Sequence, residues 1–217
     1  MSNNVDLLVV FDLDGTLNFT ELYSVPANLK LMEKFNAPQN VRNRDFIVST
    51  FGMTSDVFIK EFLPDSSDEI RREYLNNLRK VEYDIIPDTA KSYDNVIPML
   101  ESLKKYNITT AVCSNSSINY ITRVLKSIHI FDKIDFIQES VAGCTKKETL
   151  KMLLNKLNPA KALMVGDRIF DIEAAQHNNI PSIGCTYGYN PEETNQADYI
   201  VNNPSEILPV VKKVFEI

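Results

Sequence analysis

The chain has 217 residues, of which 44% are hydrophobic and 24% charged, and its formal net charge is −6. This balance is typical of a globular protein that buries a core without a disulfide framework or a structural metal. The acidic charge argues against a nucleic-acid partner, which usually needs a basic face, but a local positive site could still bind a small anion. No run of about 18 apolar residues occurs, so we expect no membrane-spanning segment.

The cysteines Cys113, Cys144 and Cys185 are widely spaced and odd in number, and the chain has only two histidines. This pattern predicts reduced thiols and neither a disulfide framework nor a Cys/His metal site. Reduced thiols and an N-terminus without a basic leader-like segment are expected of a cytoplasmic protein. Cys113 falls on a predicted buried strand, and we interpret it as a small hydrophobic residue.

The first predicted strand covers residues 5–11, a compact apolar and β-branched run of the kind that is buried on both faces of a parallel sheet. It ends at the sequence Asp-Leu-Asp-Gly-Thr, where Gly15 permits a tight turn. From residue 18 to residue 89, apolar side chains recur at helical spacing, and Pro38, Pro64 and Pro87 divide the stretch into several helices. We interpret this stretch as a helical insertion.

Beyond the insertion, predicted helices and strands alternate. The helices are expected at 96–106, 119–128, 147–157, 172–178 and 206–215, and the strands at 108–113, 135–138, 162–165, 182–185 and 199–201. Such alternation predicts βαβ units and a doubly wound parallel sheet. The expected fold is therefore α/β, with a Rossmann-like core of residues 1–17 and 90–217 and an inserted α-helical cap of residues 18–89.

Four polar clusters follow predicted strands, at the edge of the sheet where open α/β proteins bind ligands. They are 12–16, 114–116, the lysine pair Lys146 and Lys147, and 166–171. An isolated Asp-x-Asp is more often a turn or a helix cap, and an isolated serine at a strand end is more often an N-cap. Four such clusters in this order instead predict one site.

Together the four clusters resemble the motifs of the haloacid dehalogenase-like superfamily, over a span from Val5 to about Val201. The sequence Gly-Asp-x-x-x-Asp-Ile-Glu-Ala-Ala from residue 166, with Tyr-Gly-Tyr at 187–189, is similar to the phosphoglycolate phosphatase branch. That branch carries a small helical cap between the first and second motifs. The resemblance implies a Mg²⁺-dependent phosphatase acting on a small phosphorylated metabolite, of the phosphoglycolate or sugar-phosphate type.

The resemblance also implies catalytic and metal-binding roles. Asp12 would be the nucleophile that forms an aspartyl-phosphate, and Asp14 would be the general acid and base. Mg²⁺ would be held by the carboxylates of Asp12 and Asp167 and by the backbone carbonyl of Asp14. Asp171 would orient a metal-bound water or the lysine.

The phosphoryl group would be held by the hydroxyl of Ser114 and by a lysine, with Asn115 and the amide of Gly15 as additional contacts. In this branch the lysine usually lies four residues before a leucine of the following helix. Counting back from Leu150 selects Lys146, and Lys147 would then be solvated.

Three other functions are considered. A phosphomutase of the β-phosphoglucomutase type shares the same motifs and cap position. A dehalogenase is disfavoured by Asp14, which serves phosphate ester chemistry, and a non-catalytic binding protein is disfavoured because all the expected motif residues are present.

The branch usually continues the first motif with an acidic residue and a small hydroxyl residue, whereas this chain has Asn18-Phe19-Thr20-Glu21. The reaction class is therefore predicted more sharply than the substrate, and the oligomeric state is predicted only as monomer or homodimer.

Several further residues carry expectations of their own. Arg168 is expected to form a surface ion pair, with a contact to the substrate as the alternative, and His129 and His177 are expected to be structural. Gly52 lies inside a helical stretch, and a turn where the cap approaches the substrate is the less favoured of its interpretations. The residues expected to fill the core of the cap are Met32, Met53, Phe58 and Phe62.

Overall fold

The computed structural model describes residues 5–217 and is built around a sheet of six parallel strands. Their spatial order is β3-β2-β1-β4-β5-β6. The strands are β1 (Leu7–Phe11), β2 (Thr109–Cys113), β3 (Phe136–Gln138), β4 (Lys161–Gly166), β5 (Ser182–Cys185) and β6 (Tyr199–Val201). The predicted α/β fold with a doubly wound parallel sheet is confirmed.

The helices are α1 (Glu21–Lys34), α2 (Arg44–Ser49), α3 (Ser55–Phe62), α4 (Asp68–Thr89), α5 (Val96–Lys105), α6 (Ile118–Ser127), α7 (Lys146–Leu157), α8 (Ile169–His177) and α9 (Ile207–Phe215). Most bounds lie within one or two residues of those predicted. The largest shift is in α8, which begins three residues early because Asp171 accepts a hydrogen bond from the backbone amide of Arg168 and so caps the first turn. Within residues 5–217, none of these helices combines the length and apolar character needed to cross a bilayer.

Both faces of β1 are buried, which explains its unbroken apolar run. Val9 and Phe11 belong to the apolar cluster that contains residues of α5, α6 and α9. Leu8 and Val10 point to the opposite face and pack with residues of α7 and α8. The side chains alternate in this way because a strand has a period of two, so the residues that follow β1 are held on a rigid base.

Helices α1–α4, which we call the inserted helices, have an apolar cluster of their own that includes Leu31, Phe62 and Tyr74. The two chain segments that join them to the sheet run side by side. The amide of Phe19 donates to the carbonyl of Lys91 at 2.9 Å, and the amide of Tyr93 donates to the carbonyl of Leu17 at 3.3 Å. The division into residues 1–17 with 90–217 and residues 18–89 stays a prediction.

Pro87 was predicted to separate helices, and that prediction was wrong, because α4 continues through it to Thr89. A proline cannot donate the backbone hydrogen bond that the carbonyl of Tyr83, four residues earlier, would otherwise accept. Arg123 of α6 supplies a replacement, since its Nη1 donates to that carbonyl at 3.1 Å. A contact between two helices thus compensates for the proline.

Candidate active site

The turn after β1 places Asp12 at the carboxyl edge of the sheet. Its amide donates to the carbonyl of Val165 on β4 at 2.8 Å, and its side chain is buried. Gly15 follows with a φ of +89°, a conformation that side chains other than glycine rarely adopt. A Cβ at this position would also lie 2.2 Å from Asp167 Oδ2, so glycine is required twice over.

Three carboxylates meet at the end of this strand, and two of them pair with one ammonium group. Asp12, Asp167 and Asp171 each offer one oxygen, and these oxygens lie within 4.8 Å of one another. Lys146 Nζ lies 2.5 Å from Asp12 Oδ1 and 2.5 Å from Asp171 Oδ1. Burial raises the pKa of Asp12 well above its usual value, with Lys146 opposing the shift and the neighbouring aspartates adding to it. The excess of negative charge and the oxygen-only donor set fit a divalent cation such as Mg²⁺.

Asp167 is held from several sides at the end of β4. Thr16 Oγ1 donates to its Oδ1 at 3.2 Å, and the amide of Tyr189 donates to its Oδ2 at 2.9 Å. A Cβ on Gly188 would lie 2.2 Å from the Cβ of Asp167, so the chain passes as close as a glycine allows. Burial, reinforced by Asp171, raises the pKa of Asp167 to about 7. A cation bound here would oppose that shift and favour the ionised form.

Asp14 lies beyond the strand end, and one of its oxygens is held by three donors. Its Oδ1 accepts hydrogen bonds from Asn18 Nδ2 at 3.0 Å, Thr20 Oγ1 at 2.6 Å and Tyr120 Oη at 2.9 Å. Burial raises the pKa of Asp14, and these hydrogen bonds act against the rise. Asn18 and Thr20, which depart from the usual pattern of the branch, therefore orient this carboxyl.

The structure separates the two candidate lysines at the start of α7. Lys146 is buried between the aspartates, whereas the side chain of Lys147 is 40% exposed and pairs with Glu173 at 3.0 Å. Thr145 and Glu148 form a capping box that sets where the helix begins. Successive helical residues point about a quarter-turn apart, so only one of the two lysines can face the carboxylates.

The segment after β2 contributes Ser114 and Asn115. Ser114 is buried, and its Oγ accepts a hydrogen bond from the amide of Ser116 at 3.2 Å. Asn115 Nδ2 donates to the carbonyl of Gly52 at 2.8 Å, so this side chain joins the sheet to the inserted helices. Burial raises the pKa of Cys113 to about 11, which agrees with its interpretation as a hydrophobic residue.

A cavity of about 340 Å³ opens beside Asp14, between the inserted helices and the sheet. All four residues expected in the core of the inserted helices can be placed. Met53 and Phe58 are half-buried and line this cavity. Met32 and Phe62 are buried as expected, and Phe62 also lines the cavity. Phe58 also packs against the apolar cluster of the inserted helices, with its ring centre 5.3 Å from that of Phe62. The turn at 50–54 contains Gly52, whose φ is +87° and which also lines the cavity.

Arg168 was expected on the surface, and that prediction was wrong. Its ion pair exists, because Nε donates to Glu193 Oε2 at 2.8 Å, but the residue is only 3% exposed. Its Nη2 also donates to the carbonyl of Ser49 at 3.3 Å, so α2 and the segment after β5 cover it. The histidines His129 and His177 are exposed, next to the end of α6 and at the last residue of α8 respectively.

Sequence reasoning missed three residues that contribute to this region. Tyr120 bonds to Asp14, the amide of Tyr189 bonds to Asp167, and Glu82 of α4 is buried against the cavity. Tyr189 belongs to the Tyr-Gly-Tyr sequence that carried the resemblance, and this was the one available signal. Tyr120 and Glu82 occupy ordinary helical positions, and only the packing of the helices places them here.

Comparisons with known proteins agree with this geometry. The haloacid dehalogenase-like hydrolase family matches residues 9–185. A phosphoglycolate phosphatase of Psychrobacter arcticus is 30% identical over 84% of each chain, and a pyrophosphatase of Listeria monocytogenes is 27% identical over 94% of this chain and 95% of its own. A solved structure, of a predicted phosphoglycolate phosphatase from Haemophilus somnus, superposes with a TM-score of 0.86 at 22% identity, covering 94% of this chain and 97% of that one. The motif resemblance is thereby confirmed, and the chain is an enzyme of the haloacid dehalogenase-like hydrolase family.

Proposed function

We propose that the protein is a Mg²⁺-dependent phosphatase that hydrolyses a small phosphomonoester through an aspartyl-phosphate on Asp12. The observation that carries this proposal is the cluster of Asp12, Asp167 and Asp171, two of which pair with Lys146, with Asp14 oriented nearby. Attack on a phosphate ester needs a nucleophile, a proton donor and positive charge, and this cluster has a group for each.

In the first step, an oxygen of Asp12 attacks phosphorus and the bond to the leaving oxygen breaks. Asp14 gives its proton to that oxygen, so the leaving group departs as a neutral alcohol. In the second step, Asp14 takes a proton from water, the water oxygen attacks phosphorus, and the bond to Asp12 breaks to release inorganic phosphate. The burial that raises the pKa of Asp14 helps it to hold the proton required for the first step.

The cation would be held by the carboxylates of Asp12 and Asp167 and by the backbone carbonyl of Asp14, with Asp171 orienting Lys146. When bound, Mg²⁺ supplies positive charge that offsets the repulsion between carboxylates and phosphate. Lys146 and the hydroxyl of Ser114 would hold the phosphoryl oxygens, and the amide of Gly15 would add a donor. Asn115 would assist only after it exchanges its hydrogen bond to Gly52.

The proposal is tested by measuring release of inorganic phosphate from a panel of phosphomonoesters, with Mg²⁺ and with the metal chelated. Asp12→Asn removes the nucleophile and is expected to lower kcat by several orders of magnitude, because uncatalysed monoester hydrolysis is extremely slow. Asp6→Asn, an exposed aspartate before the same strand, is the matched control and should keep full activity. Full activity of Asp12→Asn, or no turnover of any substrate, would contradict the proposal.

The phosphomutase alternative differs only in the acceptor of the phosphoryl group, which would be a sugar hydroxyl instead of water. Analysis of the products separates the two, since a phosphatase releases inorganic phosphate and a mutase returns an isomeric sugar phosphate. A non-catalytic binding protein would show neither product, and it would not form a beryllium fluoride adduct on Asp12.

A further inference from the structure

Glu82 is a buried carboxyl that the proposed chemistry does not use. It lies on α4, lines the 340 Å³ cavity together with Asp14, and has only 9% of its surface exposed. None of the ion pairs formed among residues 5–217 includes it. A carboxyl buried without a cationic partner is costly to maintain, and such groups are found where they bind something.

One oxygen of Glu82 is already held by a chain of hydrogen bonds. Tyr74 Oη donates to Asn28 Oδ1 at 2.8 Å, and Asn28 Nδ2 donates to Ser24 Oγ at 3.2 Å. Ser24 Oγ in turn donates to Glu82 Oε1 at 2.8 Å. Among the described residues, the other oxygen, Oε2, accepts no hydrogen bond from the protein. The chain therefore fixes the carboxyl and leaves an acceptor for a group in the cavity.

The rest of the cavity offers hydroxyls and amides more than positive charge. Its polar lining includes Thr20, Ser24, Asn28 and Ser117, and its one cationic group is Arg79, which is exposed. Ser114 and Lys146, which are proposed to hold the phosphoryl group, are not part of this lining, and neither are Asp12 and Asp167; Asn115 alone of the proposed phosphoryl side-chain contacts reaches it. The cavity is therefore the space for the leaving group rather than for the phosphate.

The size of the cavity points the same way. Its volume of 340 Å³ is many times the roughly 10–15 Å³ that is needed to hold one water molecule. A sugar or polyol would fill much of this space, whereas a glycolate group would leave most of it to water. A second acid group on the substrate would also approach Glu82, whose pKa burial raises to about 7 and which is therefore mainly ionised at about pH 8.

From these observations we infer that Glu82 accepts hydrogen bonds from hydroxyls of the leaving group, and that the substrate is a phosphorylated sugar or polyol without a second acid group. This inference rests on the proposed phosphatase function and names its substrate class. Glu82 acts in binding and takes no part in the proton transfers at Asp14. Arg79 lies one helical turn earlier on the same side of α4, is exposed and also lines the cavity, and its charge partly opposes the rise in the pKa of Glu82 without forming an ion pair with it.

The test compares kcat/KM for glycerol phosphate and ribose phosphate with kcat/KM for phosphoglycolate and pyrophosphate, at about pH 8 with Mg²⁺. The wild-type protein is expected to favour the hydroxylated substrates by at least about tenfold. In Glu82→Gln this preference should fall by about tenfold to a hundredfold, since a hydrogen bond to a charged acceptor is lost. The change should appear mainly in the KM of the hydroxylated substrates, as expected for a group that acts in binding.

Glutamine keeps an oxygen that can accept from Ser24, so we expect Glu82→Gln to fold, and its melting temperature checks this. Glu73→Gln, on the exposed side of the same helix, is the matched control and should leave the preference unchanged. The inference is overturned if the wild type prefers phosphoglycolate or pyrophosphate. It is equally overturned if Glu82→Gln shifts the preference by less than about threefold.

Failure of the proposed function is recognised separately, as absence of turnover for both groups of substrates. Calorimetric titration of the Asp12→Asn protein with the same compounds then tests recognition without catalysis. Tighter binding of ribose phosphate than of phosphoglycolate, lost in the double variant with Glu82→Gln, supports the inference. Tighter binding of phosphoglycolate overturns it.

Discussion

Lys146 and Lys147 are neighbours in the sequence and have opposite electrostatic surroundings. Lys146 is enclosed with Asp12 and Asp171, and Lys147 forms one partly exposed pair with Glu173. Removing one partner of a buried ion pair leaves an uncompensated charge, whereas an exposed pair contributes little. The same substitution at the two positions should therefore have very different effects.

We predict that Lys146→Met lowers the free energy of unfolding of the metal-free protein by about 3–5 kcal/mol and lowers kcat at least about a hundredfold. Lys147→Met, the matched control, should change the free energy of unfolding by no more than about 1 kcal/mol and leave kcat unchanged. Urea denaturation and phosphate release measure the two quantities. Equal effects at the two positions would contradict the assignment of Lys146 to the site.

Glu82 should make the stability of the protein depend on pH. Burial raises its pKa from 4.5 to about 7, so the folded protein binds this proton more tightly than the unfolded chain does. The stabilisation is complete below the unfolded pKa and is lost as the pH rises through the folded pKa. Glu82→Gln removes this loss. The free energy of unfolding of the variant, measured relative to that of the wild type, should therefore rise by about 3 kcal/mol between about pH 4 and about pH 8. Urea denaturation across this range measures the difference, and a constant difference would show that the carboxyl does not titrate in this way.

At the scale of the element, a contact between α6 and α4 compensates for the backbone hydrogen bond that Pro87 removes from α4. Arg123 donates a hydrogen bond to the Tyr83 carbonyl, because Pro87 has no backbone N–H to donate to it. The guanidinium of Arg123 also lies 4.7 Å from the centre of the Tyr83 ring. We predict that Arg123→Met costs about 1–3 kcal/mol of unfolding free energy. In a Pro87→Ala background the cost should be smaller, because the backbone amide of alanine then donates to the same carbonyl.

A double-mutant cycle by urea denaturation measures this coupling between the two positions. If Arg123→Met costs the same with proline and with alanine at position 87, the Tyr83 carbonyl does not connect the two helices energetically. A cost confined to the cation–π contact would give that result, since the ring of Tyr83 is present in both backgrounds.

The elements of the sheet could be predicted because their signals are local. Strands buried on both faces appear as unbroken apolar runs, and helices between them show a different period. The approach of Asp12, Lys146 and Asp167 also followed, because polar residues after parallel strands must meet at one edge of the sheet. The contact of Lys146 with Asp171 was expected only from the family resemblance, as one of two roles for Asp171, since two first-turn side chains on different helices carry no joint signal of their own.

The inserted helices were less predictable, because their mutual packing depends on contacts distant in sequence. Glu82 is one of several acidic residues on α4, and only the position of α1 against α4 makes it buried. Arg168 was placed on the surface because nothing local shows that Ser49 and Glu193 would cover it. Pro87 was taken as a helix end because the compensating donor, Arg123, lies forty residues after the Tyr83 carbonyl that it satisfies.

At the scale of the whole molecule, the turn at 50–54 connects the inserted helices to the sheet at the site. The carbonyl of Gly52 accepts from Asn115, and the carbonyl of Ser49 accepts from Arg168. Phe51 packs edge-on against Tyr189, with ring centres 4.9 Å apart, and the amide of Tyr189 bonds to Asp167. The position of this turn therefore affects both the cavity for the leaving group and the residues around the proposed metal ligands.

Gly52 and Gly143 provide a matched pair for testing the role of the turn. Both have positive φ, +87° and +78°, so alanine at either position is strained by about 1–2 kcal/mol. A Cβ on Gly143 would meet no atom within 4 Å, whereas a Cβ on Gly52 would lie 3.1 Å from Arg168 Cγ and 3.4 Å from Phe170 Cδ2. Only Gly52→Ala therefore requires a shift, of a few tenths of an ångström, between this turn and the start of α8.

We predict that the two alanine variants lose similar free energies of unfolding, about 1–2 kcal/mol each, while only Gly52→Ala lowers kcat/KM, by about tenfold or more. The loss should arise because the displaced turn no longer encloses the leaving group beside Asp14 or keeps Asn115 in place. Urea denaturation and steady-state rates on one phosphomonoester separate the two effects. If Gly143→Ala reduced kcat/KM as much as Gly52→Ala, the loss would reflect general destabilisation. An effect confined to Gly52→Ala would instead mean that this turn, beyond the contacts of Asn18 and Thr20 with Asp14, transmits the position of the inserted helices to the chemistry.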